Sequence, residues 1–154
     1  MDFYGFYTGK IFDADKYLGA HTEKQGVTYR TFAPSASRIT LIGEFNGWQE
    51  WDMNKVSDGN FWECYVPQAK SGQMYKYKIY DRSGNAVEHC DPYGFGMELR
   101  PDSASIIRDM SKYKFKDSQW MQNRSDCRKK PLNIYEVHFG SFRKPSDKAD
   151  DWYN

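Results

Sequence analysis

MYKYKIYD, residues Met74–Asp81, sets Tyr75, Tyr77 and Ile79 against Lys76 and Lys78 at every second position. Successive side chains of a strand point to opposite faces, so this spacing predicts a strand with one apolar and one basic face. Ser83-Gly84-Asn85 bounds it on the far side. Upstream, FWECYV (Phe61–Val66) lies between Ser57-Asp58-Gly59-Asn60 and Pro67 and predicts another strand, with the stripe Trp62, Cys64, Val66 in the core. RITLIG (Arg38–Gly43) is β-branched and runs into Asn46-Gly47, a turn dipeptide because both residues tolerate positive φ. In the segment from Gly26, Val27, Tyr29, Thr31 and Ala33 alternate with Thr28, Arg30 and Phe32 until Pro34 stops the run. Downstream, Ser105–Arg108 and IYEVHF (Ile134–Phe139) predict two more short strands. Residues 2–20 are aromatic and punctuated by glycine, with Asp13 placed to cap a short helix through Tyr17 that Gly19 ends. Short strands separated by turn signals, with no long amphipathic helix, predict an all-β sandwich.

A chain of 154 residues has room for one domain of ordinary size with short terminal pieces. The hydrophobic share of 39%, about 47% with the 12 glycines counted, is that of a folded protein. The aromatic share, 18%, exceeds what one such core needs, so some rings are expected to face solvent or a ligand. Lys and Arg number 22 against 21 Asp and Glu. That balance gives nucleic acid or an anionic membrane nothing to steer by, and a neutral ligand fits better. The three cysteines form no CxxC pair and suit a reducing compartment. MDFYGFYTGK lacks the apolar core of a signal peptide, and no run approaches the ~18 apolar residues of a membrane span, so a cytoplasmic location is expected.

The loop acids Asp81, Glu88, Asp91, Glu98 and Asp102 read as solvated or turn-capping, and no pair of them suggests acid/base work. His21, His89 and His138 are scattered, and adjacent His89 and Cys90 point opposite ways on a strand, so no metal site is expected. No phosphate-cradling loop or nucleophile elbow is present, and no cofactor or catalytic residue is assigned. What remains near the turns is Trp48, Trp51, Asn46 and Lys76. A glucose ring offers a face of C–H groups that stacks on an indole, while its hydroxyls seek amide or ammonium partners. Residue type alone leaves Trp48 equally readable as a platform or as a cap on the core.

LGAH (Leu18–His21), GVTYRTFAPSA (Gly26–Ala36), GEFNGW (Gly43–Trp48), FWECYVP, YKYKI, DPYGF (Asp91–Phe95), ELRPDSASII (Glu98–Ile107) and IYEVHFGSFR (Ile134–Arg143) occur in that order. The series resembles bacterial glycogen (1,4-α-glucan) branching enzymes over roughly Leu18 to Arg143. Its early segments are similar to carbohydrate-binding modules of family 48 in general; RPDSAS and YEVHFGSF narrow it. The resemblance implies an N-terminal segment over 1–25, an immunoglobulin-like β-sandwich over 26–109, a linker over 110–133, and over 134–154 the start of a glycoside hydrolase family 13 barrel. It also implies that the acids of the branching reaction lie on later barrel strands, so the chain itself would be non-catalytic. Its expected partners are an α-1,4-glucan (glycogen, amylose or maltooligosaccharides) and the rest of that barrel. Related sensor modules place a Trp after the turn and a Lys in the next-but-one strand, which correspond to Trp48 and Lys76. Their second Trp has no counterpart, the stretch here being Gly84-Asn85-Ala86-Val87. The rival is a stand-alone glycogen-sensing or protein-interaction module, against which the apolar strand at Ile134 speaks.

Overall fold

The structure, a computed structural model, describes residues 1–125 and 130–138. The chain divides into two compact units, Met1–Tyr113 and Lys114–Asn154. In the first, two antiparallel sheets form an immunoglobulin-like sandwich. One sheet has the order β1-β2-β6-β5, from β1 (Gly19–Thr22), β2 (Val27–Phe32), β5 (Asn54–Val56) and β6 (Phe61–Val66). The other has the order β4-β3-β7-β8, from β3 (Arg38–Gly43), β4 (Trp51–Asp52), β7 (Met74–Tyr80) and β8 (Ala86–His89). Strand β9 (Ser105–Ile106) also pairs with β7.

Period-2 alternation fixes which side chains meet. In the first sheet Val27, Tyr29 and Thr31 stand opposite Val66, Cys64 and Trp62, and all six are buried. In the second, Ile39 and Leu41 stand opposite Ile79 and Tyr77. These two faces meet as the core, where the rings of Tyr29 and Tyr75 lie 4.9 Å apart, edge to face. Trp62 is buried as expected, and its indole N–H donates to the Ala33 carbonyl at 3.1 Å. The strands read at Arg38–Gly43 and Phe61–Val66 have those bounds, and β7 ends one residue earlier, at Tyr80.

Several boundaries differ from the sequence reading. The sandwich begins at β1, whose Gly19 pairs with Arg30, ahead of the limit at 26. Asp13 makes no side-chain cap, and Ala14–Lys16 is a single 3-10 turn. The N-terminal α-helix, α1, is Phe3–Tyr7, capped by Asp2, which accepts from the Gly5 N–H at 2.9 Å. The stretch 110–133 is not a bare linker: it holds the 3-10 turn Met110–Lys112 and, within the second unit, helix α2 (Ser118–Asn123).

Residues 134–138 form no strand. Ile134 is 83% exposed, and among the described residues no ladder includes the segment. Apolar and β-branched composition favours a strand only when a neighbouring strand pairs its N–H and C=O groups. The remainder of the barrel segment expected over 134–154, from Phe139 on, lies outside the described residues.

Candidate functional site

The outer face of the second sheet carries Lys76, the candidate that the alternation of β7 sets apart from the core. Register places Lys76 opposite Ile42, Lys78 opposite Thr40, and Tyr80 opposite Arg38. Because Leu41 and Tyr77 face the core, these pairs face away from it. Glu50 gathers the middle of the face: it accepts from Lys78 Nζ at 2.5 Å and Tyr80 Oη at 2.7 Å, and pairs with Arg38 at 3.3 Å. Arg38 also donates to Asp52 at 2.6 Å. Lys76 has a longer pairing, with Glu88 of β8 at 3.7 Å.

The bonds from Lys78 and Tyr80 lower the Glu50 carboxyl from its usual value of about 4.5 to about 2. A carboxyl lowered by folding contributes stability that is complete above its unfolded value and disappears as pH falls through the folded one. Glu50→Gln should therefore flatten the acid limb of the stability curve between about pH 4.5 and pH 2. Urea unfolding at a series of pH values checks this, and an unchanged slope in the variant would contradict it.

At the Ile42–Gly43 end of this face the chain leaves β3 through the 3-10 turn Glu44–Asn46. Gly43 is required there, because a Cβ would stand 2.6 Å from both the Met74 carbonyl oxygen and the Phe45 ring. Glu44 accepts from the Met74 N–H at 2.8 Å, tying the loop to the start of β7. Gly47 and Trp48 then both take left-handed conformations, with φ of 63° and 62°. For a residue with a side chain that conformation costs about 1–2 kcal/mol. The Trp48 N–H donates to the Gly43 carbonyl at 2.8 Å, and the side chain is 42% exposed. Trp48 is therefore not a buried cap on the core.

The other two candidates are placed differently. The Asn46 amide works within the loop: its oxygen accepts from the Gly43 N–H at 3.1 Å, and its NH2 donates to the Gln49 and Leu41 carbonyls at 2.6 and 3.4 Å. Trp51 stands opposite Leu41 on the edge strand β4, and so on the core-side face, at 38% exposure. Lys76 and Trp51 thus point to opposite faces of the sheet, while Trp48 lies on the loop that leaves β3 next to Ile42, the partner of Lys76. The position of the missing second tryptophan is a tight turn, in which Asp81 accepts from the Ser83 and Asn85 N–H groups at 2.8 and 2.9 Å. The strand that follows it presents Ala86 and Glu88 outward, with no ring. Tyr80 and Glu50 were not singled out from sequence; the alternation that marks Lys76 extends to Tyr80, whereas nothing local marks Glu50.

Asp91 also differs from its sequence reading. It is not solvated but 4% exposed, and its carboxylate accepts from Tyr75 Oη, Tyr77 Oη and the Tyr93 N–H at 2.7, 3.1 and 2.9 Å. Its partners are phenols, not a second carboxylate. Among the described residues no group of three His, Cys, Asp or Glu side chains is placed to hold a metal ion, and no helix is long and apolar enough to cross a membrane.

The sequence pattern of the carbohydrate-binding module 48 (isoamylase N-terminal domain) family matches residues 17–94. The chain is 38% identical to the 1,4-alpha-glucan branching enzyme GlgB of Fusobacterium nucleatum, over 100% of its own length and 25% of that protein. It is 39% identical to the 1,4-alpha-glucan branching enzyme GlgB of Dechloromonas aromatica, over 97% of its length and 25% of that protein. The chain thus spans about a quarter of the length of these relatives. Among solved structures, a pullulanase from Anoxybacillus sp. LM18-11 complexed with maltotetraose superposes with a TM-score of 0.56 at 21% identity, covering 68% of this chain and 15% of that one. A Salmonella typhimurium protein described as an alpha amylase superposes at 0.54 and 19% identity, over 68% of this chain and 17% of that one. At such identities the likeness is one of fold.

Proposed function

The chain belongs to the carbohydrate-binding module 48 family, and from that premise we propose that it is the non-catalytic α-1,4-glucan-binding module of a cytoplasmic 1,4-α-glucan branching enzyme. The observation that carries this reading is the exposed indole of Trp48, held on a bonded loop that leaves β3 one residue after Ile42, the partner of Lys76. The indole supplies a flat apolar surface for one glucose ring, worth about 0.5–1.5 kcal/mol for an aromatic stack. The Lys76 ammonium donates to sugar hydroxyls, and its long 3.7 Å pairing with Glu88, whose side chain is half exposed, is easily exchanged for them. One ring and a few exchanged hydrogen bonds leave little surplus after ordering costs, so a dissociation constant near 1 mM is expected, about −4 kcal/mol. Branching, the activity in the relatives' names, is assigned to acids outside this module.

Titration of the 15N-labelled protein with maltoheptaose tests this reading. Saturation should be millimolar, with shift changes concentrated at residues 43–49 and 74–78. Saturable changes centred on the first sheet, or none at tens of millimolar sugar, would oppose it, as would any shortening of amylose by the purified chain.

A further inference from the structure

The side chain of Asn46 bridges both flanks of Trp48. Its oxygen holds the Gly43 N–H, and its two N–H groups hold the carbonyl of Leu41 on β3 and that of Gln49, the residue after Trp48. Three of the four hydrogen bonds available to an amide side chain are thereby spent inside the loop. A sugar hydroxyl would have to break one of them to gain a donor from Asn46. Trp48, for its part, sits in a left-handed backbone conformation that tryptophan adopts rarely, and such outliers persist only where their surroundings over-determine them. The groups over-determining this one are the Trp48 N–H bond to Gly43 and the Asn46 amide. Neighbouring Gly47 meets nothing within 4 Å of a would-be Cβ, so crowding there does not impose the turn.

We infer that Asn46 is the positioning residue of the glucan platform: it touches no sugar, and acts by fixing the backbone that presents the Trp48 ring. The inference rests on the reading above for its consequence in binding, but not for its effect on the ring.

The test combines two readouts on the full chain. In the absence of sugar, Asn46→Ala should lower the heteronuclear NOE of the Trp48 backbone amide and of its indole N–H, while amides of β3 and β7 keep theirs. Asn46→Asp, which keeps the acceptor for Gly43 but loses both donors, should show a smaller fall. In maltoheptaose, Asn46→Ala should weaken binding roughly tenfold, the scale of one aromatic stack. The double variant Asn46→Ala/Trp48→Ala should bind no worse than Trp48→Ala, because the two losses are one loss. Additive losses would show that Asn46 contacts the sugar itself, and an unchanged Trp48 NOE in Asn46→Ala would show that it positions nothing; either overturns the inference. If the wild type fails to bind while the NOE falls as expected, the glucan reading fails and the positioning role stands.

Discussion

Asp91→Ala should lower the stability of the sandwich by about 3–5 kcal/mol, because it removes the acceptor of two buried phenols and a part-buried backbone N–H at once. The Asp91 carboxylate is where β7 meets the segment that follows β8: Tyr75 and Tyr77 of β7 donate to one oxygen and the Tyr93 N–H to the other. The Asp91 N–H in turn donates to Ser105 Oγ of β9 at 2.8 Å. Tyr75, Tyr77 and Ser105 have essentially no solvent contact, so the abandoned phenols find no water. Each buried group left unpaired costs about 1–3 kcal/mol. Against a total of about 5–15 kcal/mol for a domain, the loss is a large share, and a fall in Tm on the order of 10–20 °C follows. Thermal and urea unfolding of both proteins measure it, and a loss under about 1 kcal/mol would refute the assignment. Burial outweighs the three donors and holds the Asp91 carboxyl above the usual carboxylate range. Its own titration therefore favours folding as pH falls through that raised value, opposite in sign to Glu50.

Phe61→Ala should cost about 3–5 kcal/mol and detach the N-terminal helix. Register pairs Phe61 with Phe32, on the face of the first sheet that points away from the core, where Arg30 pairs with Glu63 and Thr28 stands opposite Tyr65. On that face Phe61 would be open to water, yet it is 0% exposed. The cover is α1: the rings of Phe3, Phe6 and Tyr7 lie 4.8, 5.4 and 6.0 Å from that of Phe61. Tyr7 Oη also donates to Asp58 at 2.6 Å and accepts from Asn60 at 2.8 Å, fastening the helix to the turn before β6. A helix of five residues has no stability of its own, so losing the ring beneath it releases it. Limited proteolysis should then cut within residues 2–12 before global unfolding. Protection equal to the wild type would contradict this account of α1.

The strands legible in the sequence are those long enough to show alternation. In β2 and β7 six or seven residues swing between faces and the pattern gives their bounds closely, while β3 and β6 were bounded by β-branched composition and by the turn residues around them. Strands β4 and β5, of two and three residues, are too short to have a period. All four residues of β8 are exposed, so no buried side marks it in the sequence. Helix α1 was hidden because FYGFY has no polar side and carries a glycine; its order comes from Phe61, which lies far along the chain. The opposite error, a strand at Ile134, has the same root, since composition does not supply a pairing partner. Of the candidate site, Lys76 was legible from alternation. The face that Trp51 takes was not, because it depends on pairing with Leu41. The burial of Asp91 was not either: Asp-Pro-Tyr-Gly reads as a turn, and the tyrosines that enclose it belong to another strand.

In the proposed reading α-glucan is held through Trp48. Native affinity electrophoresis in gels containing glycogen tests it, with the wild type, Trp48→Ala and Lys76→Ala run beside an inert marker. Trp48 and Lys76 lie outside the core, so both variants should unfold at nearly the wild-type temperature. Glycogen should retard the wild type, Trp48→Ala should lose most of this retardation, and Lys76→Ala should fall between them. Equal retardation of the wild type and a folded Trp48→Ala, or free passage of the wild type through glycogen, would contradict it.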